Sequence, residues 1–199
     1  MAEQLIYLIM LVSIALSALC SMLEATLLST PISYVTGLEE QGVKGARRLK
    51  RLKHSPDRPI SAILCVNTIA NTVGASIVGS LVYEVYGDAL VGIFSTVFTL
   101  MILIFSEIIP KTIGTSYWRS LALPASVIIN AMIFIAFPLV WILEKLTRLI
   151  SSNSTQVSVS REDISAMVSV ATEEEVIETE EKKMIQNLLK LDEVTAHEI

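Results

Sequence analysis

The sequence predicts an all-α integral membrane protein: three transmembrane helices with cytoplasmic-side juxtamembrane or re-entrant helices, followed by a small soluble helical bundle. Three observations carry this. Of the 199 residues, 52% are hydrophobic, and the mean hydropathy of +0.61 is high for a soluble chain. The apolar residues gather between residues 5 and 150 in runs of about 20, the length a bilayer core demands of a helix. From residue 151 onward the chain is polar and acidic, so the net charge of −5 averages over two unlike parts. The expected organisation is a transmembrane domain over 1–150, a linker over 151–160 and a cytoplasmic acidic helical bundle over 161–199.

The first span is expected over residues 5–28, interrupted only by small polar residues and Glu24, and closed by Pro31. Met1-Ala-Glu-Gln lacks the basic start of a signal peptide, so this span is expected to be retained. Residues 32–54 differ in kind. Lys44, Arg47, Arg48, Lys50, Arg51 and Lys53 cluster around Leu49 and Leu52, the pattern of a basic amphipathic helix lying on a membrane surface. The second span follows Ser-Pro-Asp-Arg-Pro at 55–59 and covers 60–83. A short acidic turn at 84–88 leads to the third, over 89–109.

The stretch 121–150 is ambiguous. It is long enough to cross, but Pro124 and Pro138 interrupt it and Asn130 lies near its middle. Loops rich in Lys and Arg stay cytoplasmic, which puts 44–58 inside, the N-terminus outside and the third span's end, with Lys111 and Arg119, inside. A single further crossing would strand Lys145 and Arg148 outside. A re-entrant or in-plane hairpin bent near Asn130 fits the charges better than a fourth span.

After the Ser/Thr-rich linker, Ser160 with Asp163 and Thr172 with Glu175 have capping-box spacing. Met184, Ile185, Leu188, Leu189 and Leu191 form an apolar stripe on the last helix. Cys20 and Cys65 both fall in apolar runs and are expected as packed thiols rather than a disulfide.

Glu107, in Phe-Ser-Glu-Ile-Ile-Pro-Lys over 105–111, is the most informative position. A carboxylate near the bilayer centre costs at least about 2.5–3.5 kcal/mol, so it marks function by default. Pro110 has no N–H to give the carbonyl four residues back, which is that of Ser106. That carbonyl and the Glu107 carboxylate are hard oxygen donors at one point, suited to Mg²⁺ or Ca²⁺. Asn67 and Asn71 share a face of the second span, and Ser13, Ser17 and Ser21 repeat at the same spacing in the first, with Glu24 one turn beyond Ser21. Polar faces in three spans must meet each other or a cavity, because lipid satisfies none of them.

Each of these has a plainer reading. Ser, Asn and Thr in spans commonly act as hydrogen-bonded packing residues. Glu107 could pair with Lys111, and Glu24 could snorkel or pair with the following basic helix. Gly74 and Gly79 are expected to permit close helix approach, and the 44–53 run to serve as a positive-inside, lipid-facing feature. No nucleophile–base pair, phosphate loop or Cys/His zinc spacing occurs. Neither enzymatic activity nor nucleic-acid binding is expected.

Residues 17–26 (Ser-Ala-Leu-Cys-Ser-Met-Leu-Glu-Ala-Thr), 67–71 (Asn-Thr-Ile-Ala-Asn) and 106–112 (Ser-Glu-Ile-Ile-Pro-Lys-Thr) resemble the membrane domain of the CorC/CNNM (cyclin M) family of magnesium transporters. The tail from Arg161 resembles that family's acidic helical bundle. The resemblance implies a homodimer in the lipid bilayer, with the N-terminus outside and a pair of cytoplasmic CBS domains beginning just after Ile199. It implies a largely dehydrated Mg²⁺ held by Ser21, Asn71, Glu107 and the carbonyl of Ser106, with Ser17 and Asn67 as supporting or coupling-ion residues. The family usually has Gly before the glutamate. Here it is Ser106, whose carbonyl survives while its side chain could narrow the approach. The implied mechanism is alternating access, with Mg²⁺ export driven by Na⁺ entry. A membrane-anchored Mg²⁺-sensing regulator and a Mg²⁺ channel are the competing readings.

Overall fold

A computed structural model describes residues 2–150, 161–173 and 178–189, and every described element is helical. The chain divides into two compact units, Met1–Ser151 and Ser152–Ile199. In the first, α1 (Ala2–Ser29) and α4 (Asp57–Tyr86) run antiparallel as its central pair. A third long helix beside them covers Asp88–Ser116 continuously. It consists of α5 (Asp88–Met101), a π-helical segment (Ile102–Ile108) and α6 (Ile109–Ser116). Two short helices, α2 (Ile32–Glu40) and α3 (Ala46–His54), link α1 to α4, and α7 (Trp118–Ile135) and α8 (Phe137–Ile150) complete the unit.

Local chemistry explains the boundaries and corrects several expected ones. The basic segment is two helices rather than one, because Gly42 and Gly45 take left-handed φ values of 71° and 96°, a region that L side chains avoid. The acidic turn shrinks to Gly87 (φ 76°), with α4 ending at Tyr86 and α5 starting at Asp88. The expected bend at Asn130 is absent: the helix break falls at Ala136, and Pro138 sits in the first turn of α8, where its missing N–H is harmless. The third long helix passes through Pro110 without ending, since the preceding backbone shifts to π geometry.

Apolar packing differs along the unit. At the end carrying Ser29 and Asp57, Cys20, Leu23 and Leu27 of α1 meet Val35, Leu49, Leu52, Ile63 and the Ala122, Ala125, Ile129 and Met132 stripe of α7. Toward the opposite end Ile6, Met10, Val78, Val82 and Phe98 form a separate cluster with no α7 residue in it. By length and composition, four helices suffice to cross a membrane: Ala2–Ser29, Asp57–Tyr86, Asp88–Ser116 and Trp118–Ile135. The last is only 18 residues, roughly 27 Å at 1.5 Å per residue. Its later part stays beside the start of α4, where Ile133 and Ala136 pack around Ala62 and Cys65. Outward-facing Ile93, Val97, Leu100, Leu103 and Ile104 are exposed on the third helix, as lipid contact requires. Both cysteines are buried and free.

The Ser29/Asp57 end is also the basic end. Lys53 donates from Nζ to the Leu27 carbonyl (3.0 Å), a cation satisfying the last carbonyls of α1. Glu39 of α2 pairs with Lys50 and, at 3.7 Å, with Arg47 of α3. Tyr34 and Trp118 meet edge to face at 5.0 Å here, while Tyr86 stacks on Phe94 at 5.4 Å near the opposite end. Aromatic residues at both ends of an apolar bundle are characteristic of membrane interfaces.

In the second unit, α9 (Arg161–Glu173) and α10 (Thr179–Leu189) pack on each other. Thr172 is not an N-cap: it lies inside α9 and its Oγ1 donates to the Val168 carbonyl at 2.8 Å. The capping contact at the start of α10 comes instead from Glu181, whose carboxylate accepts the Glu178 N–H at 3.0 Å. Met184 and Leu188 of the expected apolar stripe are exposed. Ser160, Glu175 and Leu191 lie outside the described residues.

Candidate functional site

The polar residues of the three long helices converge on one layer. Ser17 and Ser106 are both fully buried. Ser106 Oγ donates to Ser17 Oγ at 2.9 Å, and Ser17 Oγ donates to Asn67 Oδ1 at 2.6 Å. Asn71 Nδ2 also donates to Asn67 Oδ1, at 3.4 Å. One relay thus ties α1, α4 and the π segment together, and its donors end on the Asn67 carbonyl oxygen.

The relay leaves acceptors over. Ser21 Oγ and Asn71 Oδ1 are buried and have no hydrogen-bond partner. An unsatisfied buried polar atom costs about 1–3 kcal/mol, and such atoms call for an explanation, an ion among them. Glu107, the residue after Ser106, is half-buried and makes no ion pair or side-chain hydrogen bond among the described residues. Lys111, its expected alternative partner, instead reaches Glu24 of α1 at 3.5 Å. Glu24 therefore pairs across to the third long helix rather than with the basic helix that follows it.

The π segment sets the direction of these groups. Ile109 N–H bonds to the Ile104 carbonyl, five residues back. Pro110 supplies no N–H, so the Ser106 carbonyl has no partner in the α register. Single π turns inside α-helices recur at functional sites because the extra residue re-aims side chains. Leu103, Ile104, Phe105, Ile108 and Ile109 face outward while Ser106 faces α1. The Ser106 hydroxyl is thereby committed to Ser17.

Close backbone approach makes the layer possible. A Cβ on Gly74 would sit 2.0 Å from Ser13 Oγ, and one on Gly114 would sit 2.5 Å from the Met22 carbonyl oxygen. Gly79, expected to play the same part, has open space around it. Gly114 was not legible as a contact residue. Its only sequence signal is a small residue one turn past Pro110, opposite Ala25 and Thr26; Thr26 Oγ1 donates to its carbonyl at 3.4 Å.

All six expected residues, Ser17, Ser21, Asn67, Asn71, Ser106 and Glu107, thus belong to the three helices that meet in this layer. Ser17, Asn67 and Ser106 form the relay, while Ser21, Asn71 and Glu107 hold the unused oxygens. No cluster of three or more His, Cys, Asp or Glu occurs among the described residues.

Comparison with known proteins gives the family. Residues 8–181 match the cyclin M transmembrane N-terminal domain. A UPF0053 protein of Synechocystis sp. is 34% identical over 180 residues, covering 90% of this chain and 52% of its own length. The UPF0053 inner membrane protein YfjD of Escherichia coli is 32% identical over 170 residues, covering 81% of this chain and 39% of its own. A Haemophilus influenzae protein named polyamine export protein is 24% identical over 193 residues, covering 88% and 45%. The chain spans about half the length of the curated relatives it matches. With a membrane-spanning α-helical fold and a family match over most of its length, this chain belongs to the CorC/CNNM (cyclin M transmembrane) family.

Proposed function

We propose that this chain is the membrane domain of a Mg²⁺ transporter, with Mg²⁺ as its cargo at the Ser21, Asn71, Ser106 and Glu107 oxygens. The observation that carries the reading is the pair of buried, unpartnered acceptors, Ser21 Oγ and Asn71 Oδ1, on helices joined by the relay to the residue preceding an unpaired intramembrane carboxylate. Mg²⁺ takes oxygen ligands at about 2.0–2.1 Å in near-octahedral geometry and sheds water reluctantly. The four protein oxygens would supply part of that set, with water in the remaining positions. A single negative charge binds weakly enough for release, as transport requires.

Ser17 and Asn67 act on this reading by fixing the orientation of the ligand-bearing helices, and they are the place for a coupling Na⁺. The cycle is alternating access with Mg²⁺ exported against Na⁺ entry, in a homodimer whose N-terminus is outside and C-terminus cytoplasmic. A cysteine placed at Ser152 is then labelled by impermeant maleimide only from the cytoplasmic side. Labelling from outside would reverse the orientation or make α7 a fourth span.

The decisive measurement is ion flux in proteoliposomes made with the intact protein, beside Glu107→Ala. Mg²⁺ flux that vanishes in a folded Glu107→Ala protein supports the reading. Mg²⁺ binding without flux under Mg²⁺ or Na⁺ gradients would make the protein a sensor, and fast uncoupled conduction would make it a channel. Efflux of spermidine in place of Mg²⁺ would assign it the activity for which the Haemophilus influenzae relative is named. The Glu107 carboxylate with neutral Ser and Asn oxygens around it favours the compact divalent ion over a multiply charged polyamine.

A further inference from the structure

We propose that Lys111 is a transferable counter-ion shared by two acids: it pairs with Glu24 when a cation sits at Glu107 and turns to Glu107 when that cation leaves. Glu107 enters here as the cation ligand proposed above, so the exchange rests on that reading and adds the group that takes the cargo's place. In the three long helices, the charged residues away from the first and last turns are Glu24, Glu107 and Lys111. Two carboxylates therefore share one ammonium in a part of the chain where lipid offers no compensation. In the structure Lys111 Nζ lies 3.5 Å from Glu24. Glu107, without an ion pair among the described residues, is left open to a second cation.

The surroundings allow the side chain to move and hold the helices still. Glu24 stands one turn beyond Ser21 on α1, and Lys111 one turn beyond Glu107 on the third helix, both toward the basic end. Gly114 follows about one turn further. Its carbonyl accepts from Thr26 Oγ1 at 3.4 Å, and a Cβ there would sit 2.5 Å from the Met22 carbonyl oxygen and 2.9 Å from Ala25 Cβ. The two backbones are thus in close contact just past the ion pair. Neither side chain of the pair is locked by packing, at 50% exposure for Lys111 and 31% for Glu24. Residues four apart are neighbours on a helix surface, and the flexible four-carbon stem of lysine lets Nζ reach Glu107 as well as Glu24. Lys53 is no substitute, because its Nζ is held at the end of α1 by the Leu27 carbonyl at 3.0 Å. A fixed tie between α1 and the third helix is the other role such a pair can have, and it predicts different results.

The test is a pair of double-mutant cycles in the intact purified protein. The first is thermal unfolding without Mg²⁺, at low salt so that the charges are not screened. Glu24→Gln and Glu107→Gln each leave Lys111 one acid, so each should shift the unfolding temperature little. The double variant leaves it none and should lower the unfolding temperature by more than the sum of the two shifts. Additive shifts would overturn the shared counter-ion. The second cycle is calorimetric titration with MgCl₂. Glu24→Gln should send Lys111 to Glu107, and occupancy there for about 90% of the time raises the apparent Kd about tenfold. In a Lys111→Met background the same substitution should leave the Kd unaltered. Equal weakening in both backgrounds would reduce Glu24 to a general attraction for cations and overturn the exchange. If Lys111→Met does not fold, Lys111→Gln gives the same uncharged background. A parent protein that binds no Mg²⁺ would sink the proposed function instead, while the Mg²⁺-free cycle would still decide whether the two acids share Lys111.

Discussion

The α1–α4 seam is built in two ways along its length. Toward the N-terminus of α1 it is dry and apolar, with Ile6 and Met10 against Val78, Val82 and Phe98. One to three turns further along α1, it becomes a layer of Ser17, Ser21, Asn67 and Asn71 with two acceptors left over. The apolar part has one good arrangement and little reason to leave it, since close-packed interiors are bistable at most and not freely deformable. The polar part is satisfied only incompletely, so a bound cation changes its energy directly. The first holds the helices together, and on the proposed function the second responds to cargo.

The largest way to break this comparison is Glu107→Gln, which removes the one negative charge of the polar layer while keeping its shape. Mg²⁺ flux should fall on the order of 100-fold, two tenfold steps of about 1.4 kcal/mol each, with thermal stability in detergent unchanged. Unchanged flux would remove Glu107 from the transport path.

The junction between the two parts comes next. Gly74→Ala puts a methyl group 2.0 Å from Ser13 Oγ, and overpacking of this kind costs about 1–3 kcal/mol. Thermal unfolding should register the loss, and Ser13→Gly in the same chain should recover most of it. A double-mutant cycle with no coupling would show that the helices separate freely at this point.

Ser21→Ala and Val82→Ala sharpen the contrast by moving in opposite directions. Val82→Ala should lower stability by about 2 kcal/mol, the cost of a buried cavity, and leave unaltered any rise in unfolding temperature that the proposed Mg²⁺ binding produces. Ser21→Ala deletes an unsatisfied hydroxyl, so the Mg²⁺-free protein should be as stable as the parent or more so. Its apparent Mg²⁺ affinity should drop about tenfold. Ser21→Ala destabilising the Mg²⁺-free protein would mean that the hydroxyl is ordinary packing glue.

The smallest effect lies outside the seam. Hydrogen bonding from Lys50, with Arg47 nearby, holds the half-buried Glu39 carboxyl below its ordinary value. A depressed carboxyl pKa contributes stability above the unfolded value and loses it as pH falls through the folded one. Glu39→Gln should therefore lower stability slightly at neutral pH, leave it unaltered at low pH and so flatten the acid limb, by no more than surface pairs usually contribute. An unaltered acid limb would show that the α2–α3 pair contributes nothing measurable.

The polar layer was legible because lipid allows no neutral outcome for Ser, Asn and Glu on facing helices; Ser17, Asn67 and Ser106 had to find partners. The plainer reading of Glu107, a local pair with Lys111 at i+4 spacing, is not what the structure shows, because Glu24 of another helix lies within reach of Lys111. Gly79 and Gly114 were unreadable for a related reason. A glycine shows that a side chain is missing but not whether a neighbour fills the space.

Sequence by itself determined the membrane class, the three long spans, the basic segment after the first and the residues of the polar layer, because apolar run length, charge and buried polarity are properties of the residues alone. Tertiary structure decided the π register around Glu107, the break at Ala136 in place of Asn130, the Glu24–Lys111 pair and which glycines touch another helix. These depend on which surfaces meet and how closely, and helix-to-helix distance is encoded jointly by residues far apart in the chain.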